Sequence, residues 1–130
     1  PVRDQNLKKS ILLVDDNLDN QYALKFILED KGYKVFFAKN GQEGVKKAQK
    51  EKPALILMDM MMPGMNGYEA TASIRSEKGM KDIPIIAMTA KTAAEDDGRA
   101  LAAGCVDYLS KPFSLDDIVN KVNKWIGGIR

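Results

Sequence analysis

The sequence contains no histidine and only one cysteine among its 130 residues. Without an imidazole, the chain cannot build a histidine zinc site, a Ser/His triad or a phosphohistidine of its own. One thiol cannot form an internal disulfide, so Cys105 indicates a protein from a reducing compartment. No apolar run approaches the roughly 20 residues that span a bilayer, and residues 1–6 lead into no secretory signal. We therefore expect a cytoplasmic protein without membrane contact.

The chain also has no large excess of positive or negative charge. The chain has 20 Lys and Arg against 18 Asp and Glu, a net charge of +2, and its lysines are scattered. This distribution gives no support to direct nucleic-acid binding. A hydrophobic fraction of 45% and a charged fraction of 29% suit one ordinary soluble domain. We expect a single domain over residues 1–130, with its core at about 10–127.

Short apolar runs alternate with helical patterns along the chain, which predicts five βα units. Strands that are apolar on both faces and separated by helices require a parallel sheet covered on both sides. The predicted fold is a doubly wound, five-stranded parallel α/β sheet, a three-layer α/β/α sandwich. The predicted strands are 11–14, 35–38, 55–58, 85–88 and 106–109, and the predicted helices are about 18–31, 42–51, 68–76, 95–103 and 115–125.

Local chemistry supports four of these helix ends. Gly32 and Gly104 stand where the first and fourth helices should end, at positions that tolerate positive φ. Asn40 and Ser114, each three residues ahead of an acidic residue, resemble N-terminal caps of the second and fifth helices. One core-facing stripe is predicted for the last helix. Its members are Leu115, Ile118, Val119, Val122, Trp125 and Ile126.

Polar side chains stand directly after four of the five predicted strands. Ligands of such sheets bind beyond the carboxyl ends of the strands, so these side chains should converge on one rim. Converging carboxylates repel one another unless a cation lies among them, and hard oxygen donors favour Mg²⁺. A divalent ion with Lys and Thr suits a phosphoryl group, and a carboxylate can act as the nucleophile. The residues are Asp15, Asp16, Asp59, Thr89 and Lys111, the last followed by Pro112.

Four motifs in order make the chain resemble the receiver domain of two-component response regulators, of the chemotaxis-regulator type. They are ILLVDD at 11–16, LMDMMMPGMNG at 57–67, MTA at 88–90 and YLSKPF at 108–113. The resemblance implies a (βα)5 flavodoxin-like fold. It also implies a phosphoacceptor switch without a turnover substrate, which receives its phosphoryl group from a histidine kinase or phosphotransfer protein. The output would be control of an effector protein or an attached domain, with dimerisation on phosphorylation as one form.

The resemblance assigns the acceptor and the metal ligands. Asp59 is expected to be the phosphoacceptor. Asp16, Asp59 and the backbone carbonyl of Met61 are expected to bind Mg²⁺ directly, whereas Asp15 is expected to act mainly through a bound water. Hydrolysis of the phosphoryl group is expected to depend on Met61 and Lys91. Because a Met side chain cannot orient a water, we expect the phosphoryl group to persist longer than it would with an amide at this position.

The resemblance also assigns the switch. Lys111 is expected to pair with the Asp59 carboxylate in the resting state and with the phosphoryl group after phosphorylation. Thr89 is expected to donate a hydrogen bond to a phosphoryl oxygen. Tyr108 is expected to rotate inward as Thr89 moves, and a cis peptide is expected between Lys111 and Pro112. The expected output surface combines the fourth helix, the fifth strand and the fifth helix. Candidate members are Ala103, Tyr108 and Lys121.

Other functions fit the same residues less well. An EF-hand is rejected, because Asn20 stands where the loop needs Gly and Phe26 where it needs Glu. A phosphatase of the haloacid-dehalogenase type needs a second Asp two residues after the nucleophile, where this chain has Met61. A nucleotide-binding module would need a Gly-rich or Ser/Thr-rich loop after the first strand. The phosphatase stays as a disfavoured alternative, beside an interaction module that works without phosphorylation.

Taken singly, each site residue also has a structural interpretation. An Asp pair before a helix is usually a cap or a partner of the helix dipole, and Lys is usually solvated. Asp59 differs, because residues 55–58 and a Met run are a poor setting for an unpaired charge. The conjunction of motifs favours function over these interpretations. The sequence leaves open whether the receiver acts alone or belongs to a hybrid sensor kinase.

Overall fold

Five parallel strands form one sheet in the computed structural model, which describes residues 9–62, 64–89, 100–110 and 114–127. The strand order is β2-β1-β3-β4-β5, so β3 is central and β2 and β5 are the edges. This arrangement confirms the predicted doubly wound sheet. The strands are β1 (Ser10–Val14), β2 (Lys34–Ala38), β3 (Leu55–Asp59), β4 (Ile85–Thr89) and β5 (Asp107–Ser110).

Helices follow the strands, and their bounds agree with the predicted ones to within one residue at most ends. The predicted fourth helix falls partly outside the described residues, which include only its last turn. No helix in the described ranges has the length and apolarity to cross a bilayer. The helices are α1 (Leu18–Asp30), α2 (Gly41–Glu51), α3 (Gly67–Ser76), α4 (described over residues 100–103) and α5 (Leu115–Val122), which continues as a π-helix over Asn123–Gly127.

Two apolar layers cover the sheet, one on each face. Alternate residues of β1 and β3 point to opposite sides, because side chains of a strand alternate. Leu12 and Ile56 pack into the layer formed with α2, α3 and α4. Leu13 and Leu57 pack into the layer formed with α1 and α5. The three-layer sandwich therefore places the carboxyl ends of all strands on one open rim.

The predicted caps are confirmed. Gly32 and Gly104 have φ of 97° and 119°, the left-handed region that favours glycine after a helix. The side chains of Asn40 and Ser114 accept hydrogen bonds from the third residue of their helices. Sequence reasoning missed the capping box of Asn66, which opens α3.

The predicted stripe of the last helix is wrong at two positions. Ile118 and Val122 are fully buried, but Leu115 is 49% exposed and Trp125 36% exposed. Leu115 is the first residue of α5, where the helix is only beginning. Trp125 lies in the π-helical turn, whose wider period moves it away from a stripe spaced at 3.6 residues.

Candidate functional site

The three predicted site carboxylates meet at the rim above the centre of the sheet. Asp59 is the last residue of β3, and Asp15 follows β1, which pairs with β3 through Val14 and Met58. Asp15, Asp16 and Asp59 each offer a carboxylate oxygen, and these oxygens lie within 4.8 Å of one another. Asp15 and Asp59 are buried, whereas Asp16 is exposed.

The start of α1 orients Asp15. The backbone N–H of Asn17 donates to its Oδ1 at 2.9 Å, and the side-chain amide of Asn20 donates to its Oδ2 at 3.3 Å. Buried Gln21 donates to the Asp15 carbonyl at 2.6 Å and to the Ala38 carbonyl at 3.2 Å. The loop after β1 is thus fastened to the end of β2. Sequence reasoning missed Gln21. The only sign of its role is that a polar amide occupies a position on the buried side of α1.

The turn after β3 orients Asp59. The backbone N–H of Met61 donates to Asp59 Oδ1 at 3.0 Å, and the Met60 N–H donates to the Met88 carbonyl of β4 at 3.0 Å. At Gly67 the backbone of α3 passes so close that an added Cβ would lie 2.4 Å from the Asp59 carbonyl. A side chain at that position would therefore displace the turn after β3.

Thr89 lies beside this group on the neighbouring strand. Thr89 is the last residue of β4 and is 2% exposed. Because Met88 pairs with Asp59, Thr89 lies one residue past the level of Asp59 along the strand direction. Tyr108 lies on β5 and is 37% exposed. Lys111 and Pro112, with the predicted cis peptide, lie outside the described residues, as does Lys91. Their roles stay predictions.

The donor set fits a divalent cation with hard oxygen ligands. Three carboxylates close together repel one another, and no thiolate belongs to the cluster. Mg²⁺ prefers one or two carboxylates and keeps several waters, for which the exposed Asp16 side leaves access. Met61 is 64% exposed, and its backbone N–H donates the hydrogen bond to Asp59. Ligation by the Met61 carbonyl remains a prediction.

A second polar cluster, at the start of β5, was missed by sequence reasoning. Asp107 accepts hydrogen bonds from Lys121 Nζ at 2.7 Å and from the indole N–H of Trp125 at 2.9 Å. Burial alone would raise the pKa of Asp107, but the hydrogen bonds from Lys121, Trp125 and the Tyr108 N–H outweigh burial and hold it below its usual value. The sequence signal for this cluster is limited to an acidic residue at the start of the short strand β5.

Cys105 is buried and lies away from the carboxylate cluster. Its thiol is 3.8 Å from Thr71 Oγ1, within reach of a hydrogen bond in either direction. Burial raises the pKa of the Cys105 thiol above its ordinary value, despite the opposing effects of Thr71 and Arg75. A thiol that stays protonated is a poor nucleophile, which supports a structural role.

A model of the response regulator receiver domain matches residues 11–123. The chain belongs to this family. It is thus a receiver domain of a two-component system, a phosphoacceptor module, and the haloacid-dehalogenase alternative is not favoured. The fold agrees, because chemotaxis protein CheY4 of Vibrio cholerae superposes with a TM-score of 0.85 at 31% identity over 89% of this receiver and 97% of CheY4.

Two curated relatives of this receiver differ in how much of their length it matches. Protein PilH of Pseudomonas aeruginosa is 37% identical over 91% of this chain and 98% of PilH. Hybrid signal transduction histidine kinase G of Dictyostelium discoideum is 44% identical over 93% of this chain, which spans only 4% of that kinase. The same receiver unit therefore occurs both in small regulators and inside long kinases.

Two solved relatives bear on the chemistry. The receiver domain of sensor histidine kinase PA1611 from P. aeruginosa, with a TM-score of 0.84 and 38% identity over 92% of this chain and 98% of its own, has a magnesium ion coordinated in the active-site cleft. The receiver domain of Ssk1 from Saccharomyces cerevisiae was solved with the histidine phosphotransfer protein Ypd1. That match has a TM-score of 0.82 and 34% identity over 90% of this chain and 88% of the matched chain.

Proposed function

We propose that Asp59 is the residue that accepts the phosphoryl group and that Asp15 and Asp16 assist it by holding Mg²⁺. The single observation that carries this proposal is the cluster of three carboxylates whose oxygens lie within 4.8 Å of one another. Asp59 is the member best placed as nucleophile. It ends the central strand, is 3% exposed, and is held by the Met61 N–H on Oδ1.

The transfer conserves atoms and charge without further reactants. A carboxylate oxygen of Asp59 forms a P–O bond as the P–N bond of the donor phosphohistidine breaks. The donor ring carries a proton on its other nitrogen, so it leaves as neutral imidazole with the bonding electron pair. With a small acyl phosphate, the carboxylate of the donor leaves instead. The donor thus supplies the leaving group that this histidine-free chain lacks. No turnover substrate is involved, because the product is the modified domain itself.

Mg²⁺, when bound, neutralises the carboxylates and balances the charge on the transferring phosphoryl oxygens. The chain supplies the geometry around it. Asp15 is held by the Asn17 N–H, and the acceptor turn is tied to β4 through Met60 and Met88. These backbone contacts fix the nucleophile before the donor arrives, which lowers the entropic cost of in-line attack.

The phosphoryl group would then act on Thr89 and Lys111. A new dianion attracts the buried hydroxyl at the end of β4 and the Lys111 ammonium, so that the loops after β3 and β4 shift. Tyr108 turns inward as Thr89 moves. The result is a shift between two packings, driven by contacts that only the phosphorylated state makes.

The donor docks on an exposed apolar stripe of α1. Leu18, Tyr22 and Phe26 repeat every four residues and are 58%, 64% and 75% exposed. Residues at this spacing form one ridge of a helix. The ridge begins two residues after Asp16, so a partner seated on it reaches the carboxylate cluster. We therefore propose that α1 presents this ridge to the helices of a histidine kinase or phosphotransfer protein in the cytoplasm.

Intact-mass spectrometry tests the acceptor. Incubation with Mg²⁺ and acetyl phosphate should add one phosphoryl group to the wild-type chain and none to Asp59→Asn. Chelation of Mg²⁺ by EDTA should abolish the gain in mass. Asp16→Asn should slow phosphorylation at least tenfold, as expected when a side chain that holds the metal is lost. Asp82→Asn, on an exposed loop, serves as the matched control and should behave as wild type. Phosphorylation of Asp59→Asn would refute the assignment.

A further inference from the structure

Asp107 gathers donors that the phosphoryl chemistry does not use. It opens β5 with a side chain only 9% exposed, bonded to Lys121 and Trp125 and also to the Tyr108 N–H at 2.8 Å. Lys124 lies farther off, 3.6 Å from Asp107 Oδ2. We call Asp107 with Lys121 and Trp125 the Asp107 clasp. It fastens the edge strand to α5 and to the π-helical turn after it.

The Lys121 ammonium of the Asp107 clasp also lies over the ring of Tyr108, the residue predicted to change position on phosphorylation. Lys121 Nζ lies 5.8 Å from the centroid of the Tyr108 ring, within the range in which a cation is attracted to an aromatic face. The same ammonium donates a hydrogen bond to Asp107 Oδ1 at 2.7 Å. This bond restricts the Lys121 side chain, so the ammonium cannot readily move with the Tyr108 ring if the ring changes rotamer. The attraction is therefore available to Tyr108 in the partly exposed position that it occupies here.

The sheet register shows where an inward turn would take this ring. Tyr108 pairs with Ala87, and Ser110 pairs with Thr89, so Tyr108 and Thr89 lie on the same face of the sheet. Asp107 lies on the opposite face, with Leu109, which packs in the layer of α1 and α5. Rotation of the ring towards Thr89 therefore carries it away from the clasped ammonium.

We propose that the Asp107 clasp is a positioning device that holds Tyr108 outward and so favours the resting state of the receiver. The inference rests on the proposed function, in which Tyr108 turns inward on phosphorylation. An interaction made only in the outward state shifts the population towards that state. Removal of the Lys121 ammonium should therefore make the activated packing easier to reach, and by linkage any phosphoryl analogue that favours it should bind more tightly.

The test is the affinity for beryllium fluoride, a phosphoryl analogue, with Mg²⁺ present, measured by calorimetry. Lys121→Met should bind the analogue about two- to fivefold more tightly than wild type, the factor expected from one exposed cation–aromatic contact. Lys121→Arg retains a cation and should match wild type. Lys124→Met removes the same charge from the adjoining helical turn and should also match wild type. Its ammonium contacts Trp125 at 5.5 Å instead of Tyr108.

A double-mutant cycle separates positioning from general loosening. In a Tyr108→Ala background, Lys121→Met should no longer change the affinity, because there is no ring to hold. An equal gain in that background, or an equal gain from Lys124→Met, would overturn the clasp, and so would unchanged affinity in Lys121→Met. If these variants gain one phosphoryl group on Asp59 as wild type does, such a result refutes the clasp alone. Absence of phosphorylation in the wild type would refute the proposed function with it.

Discussion

The three carboxylates of the cluster differ in what surrounds them, and this difference separates their roles. Asp15 has both oxygens engaged by the start of α1. Asp16 is exposed. Asp59 is buried at the end of the central strand, in a turn held by backbone hydrogen bonds. With Asp59 as the proposed acceptor, a donor can approach from the exposed side of Asp16 while the buried carboxylate stays fixed.

We expect Met61 to influence how long the phosphoryl group lasts. Its side chain is 64% exposed beside the acceptor turn and has no group that could orient an attacking water. Met61→Asn supplies an amide there, so we expect hydrolysis about two- to tenfold faster, the effect of one added hydrogen bond in the transition state. The measurement is the decay of phosphorylated protein by intact mass after removal of the donor.

The control for this change is Met61→Leu, which alters the shape of the side chain and adds no polar group. It should decay at the wild-type rate. Equal or slower decay in Met61→Asn would contradict the proposed role of this position.

Helix α1 has one side packed in the core and another side that is exposed and, in our proposal, meets the donor protein. Leu24 and Leu28 pack under the sheet, while Tyr22 and Phe26 project outward. Tyr22 also meets the ring of Phe37 edge-on at 6.4 Å, which steadies it at low entropic cost. Large aromatic side chains that are exposed and preorganised are typical centres of protein interfaces.

Phe26→Ala should therefore impair transfer from a protein donor. We expect a loss of about tenfold or more in the rate of transfer from a phosphorylated histidine phosphotransfer protein, as for a central interface residue. The rate with acetyl phosphate should be unchanged, because a small donor needs no docking. Leu101→Ala truncates another exposed apolar side chain, on α4, and should affect neither rate. Equal losses with both donors would place the defect in the site instead of the ridge.

The elements were largely predictable, because their signals are local. Apolar runs and caps such as Asn40 lie within a few residues of the ends that they mark. The juxtaposition of Asp15 and Asp59 was also predictable, since parallel strands end at one rim. The bonds of Gln21 to Ala38 and of Asp107 to Trp125 were not, because each joins residues 17 or 18 positions apart through side-chain directions that no periodicity encodes.

The sheet connects two polar clusters, the three carboxylates and the Asp107 clasp, which lie in different environments. The carboxylate cluster stands above the central strands, and the Asp107 clasp closes the edge at β5. Between them, β4 pairs with both β3 and β5 and carries Thr89 at its end. Thr89 therefore belongs to the strand that pairs with the strand of Tyr108, so a movement of Thr89 towards Asp59 occurs next to Tyr108.

The clasp should also make the stability of the domain depend on acid. Because the hydrogen bonds of Asp107 hold its pKa below the ordinary value of 3.8, its charged form stabilises the folded state. This contribution is fully present above about pH 3.8 and is lost as the pH falls through the lower folded-state pKa. Asp107→Asn should reduce the free energy of unfolding by about 1–3 kcal/mol at neutral pH, the cost of weakening buried charge-assisted bonds.

Urea denaturation from neutral pH down to about pH 3 measures this dependence. The difference in unfolding free energy between wild type and Asp107→Asn should be constant at neutral pH and should shrink below about pH 3.8. Asp30→Asn removes an exposed carboxylate at the end of α1 and should stay within about 0.5 kcal/mol of wild type throughout. A difference for Asp107→Asn that does not narrow in acid would mean that the packing of this side chain, and not its charge, holds β5 against α5.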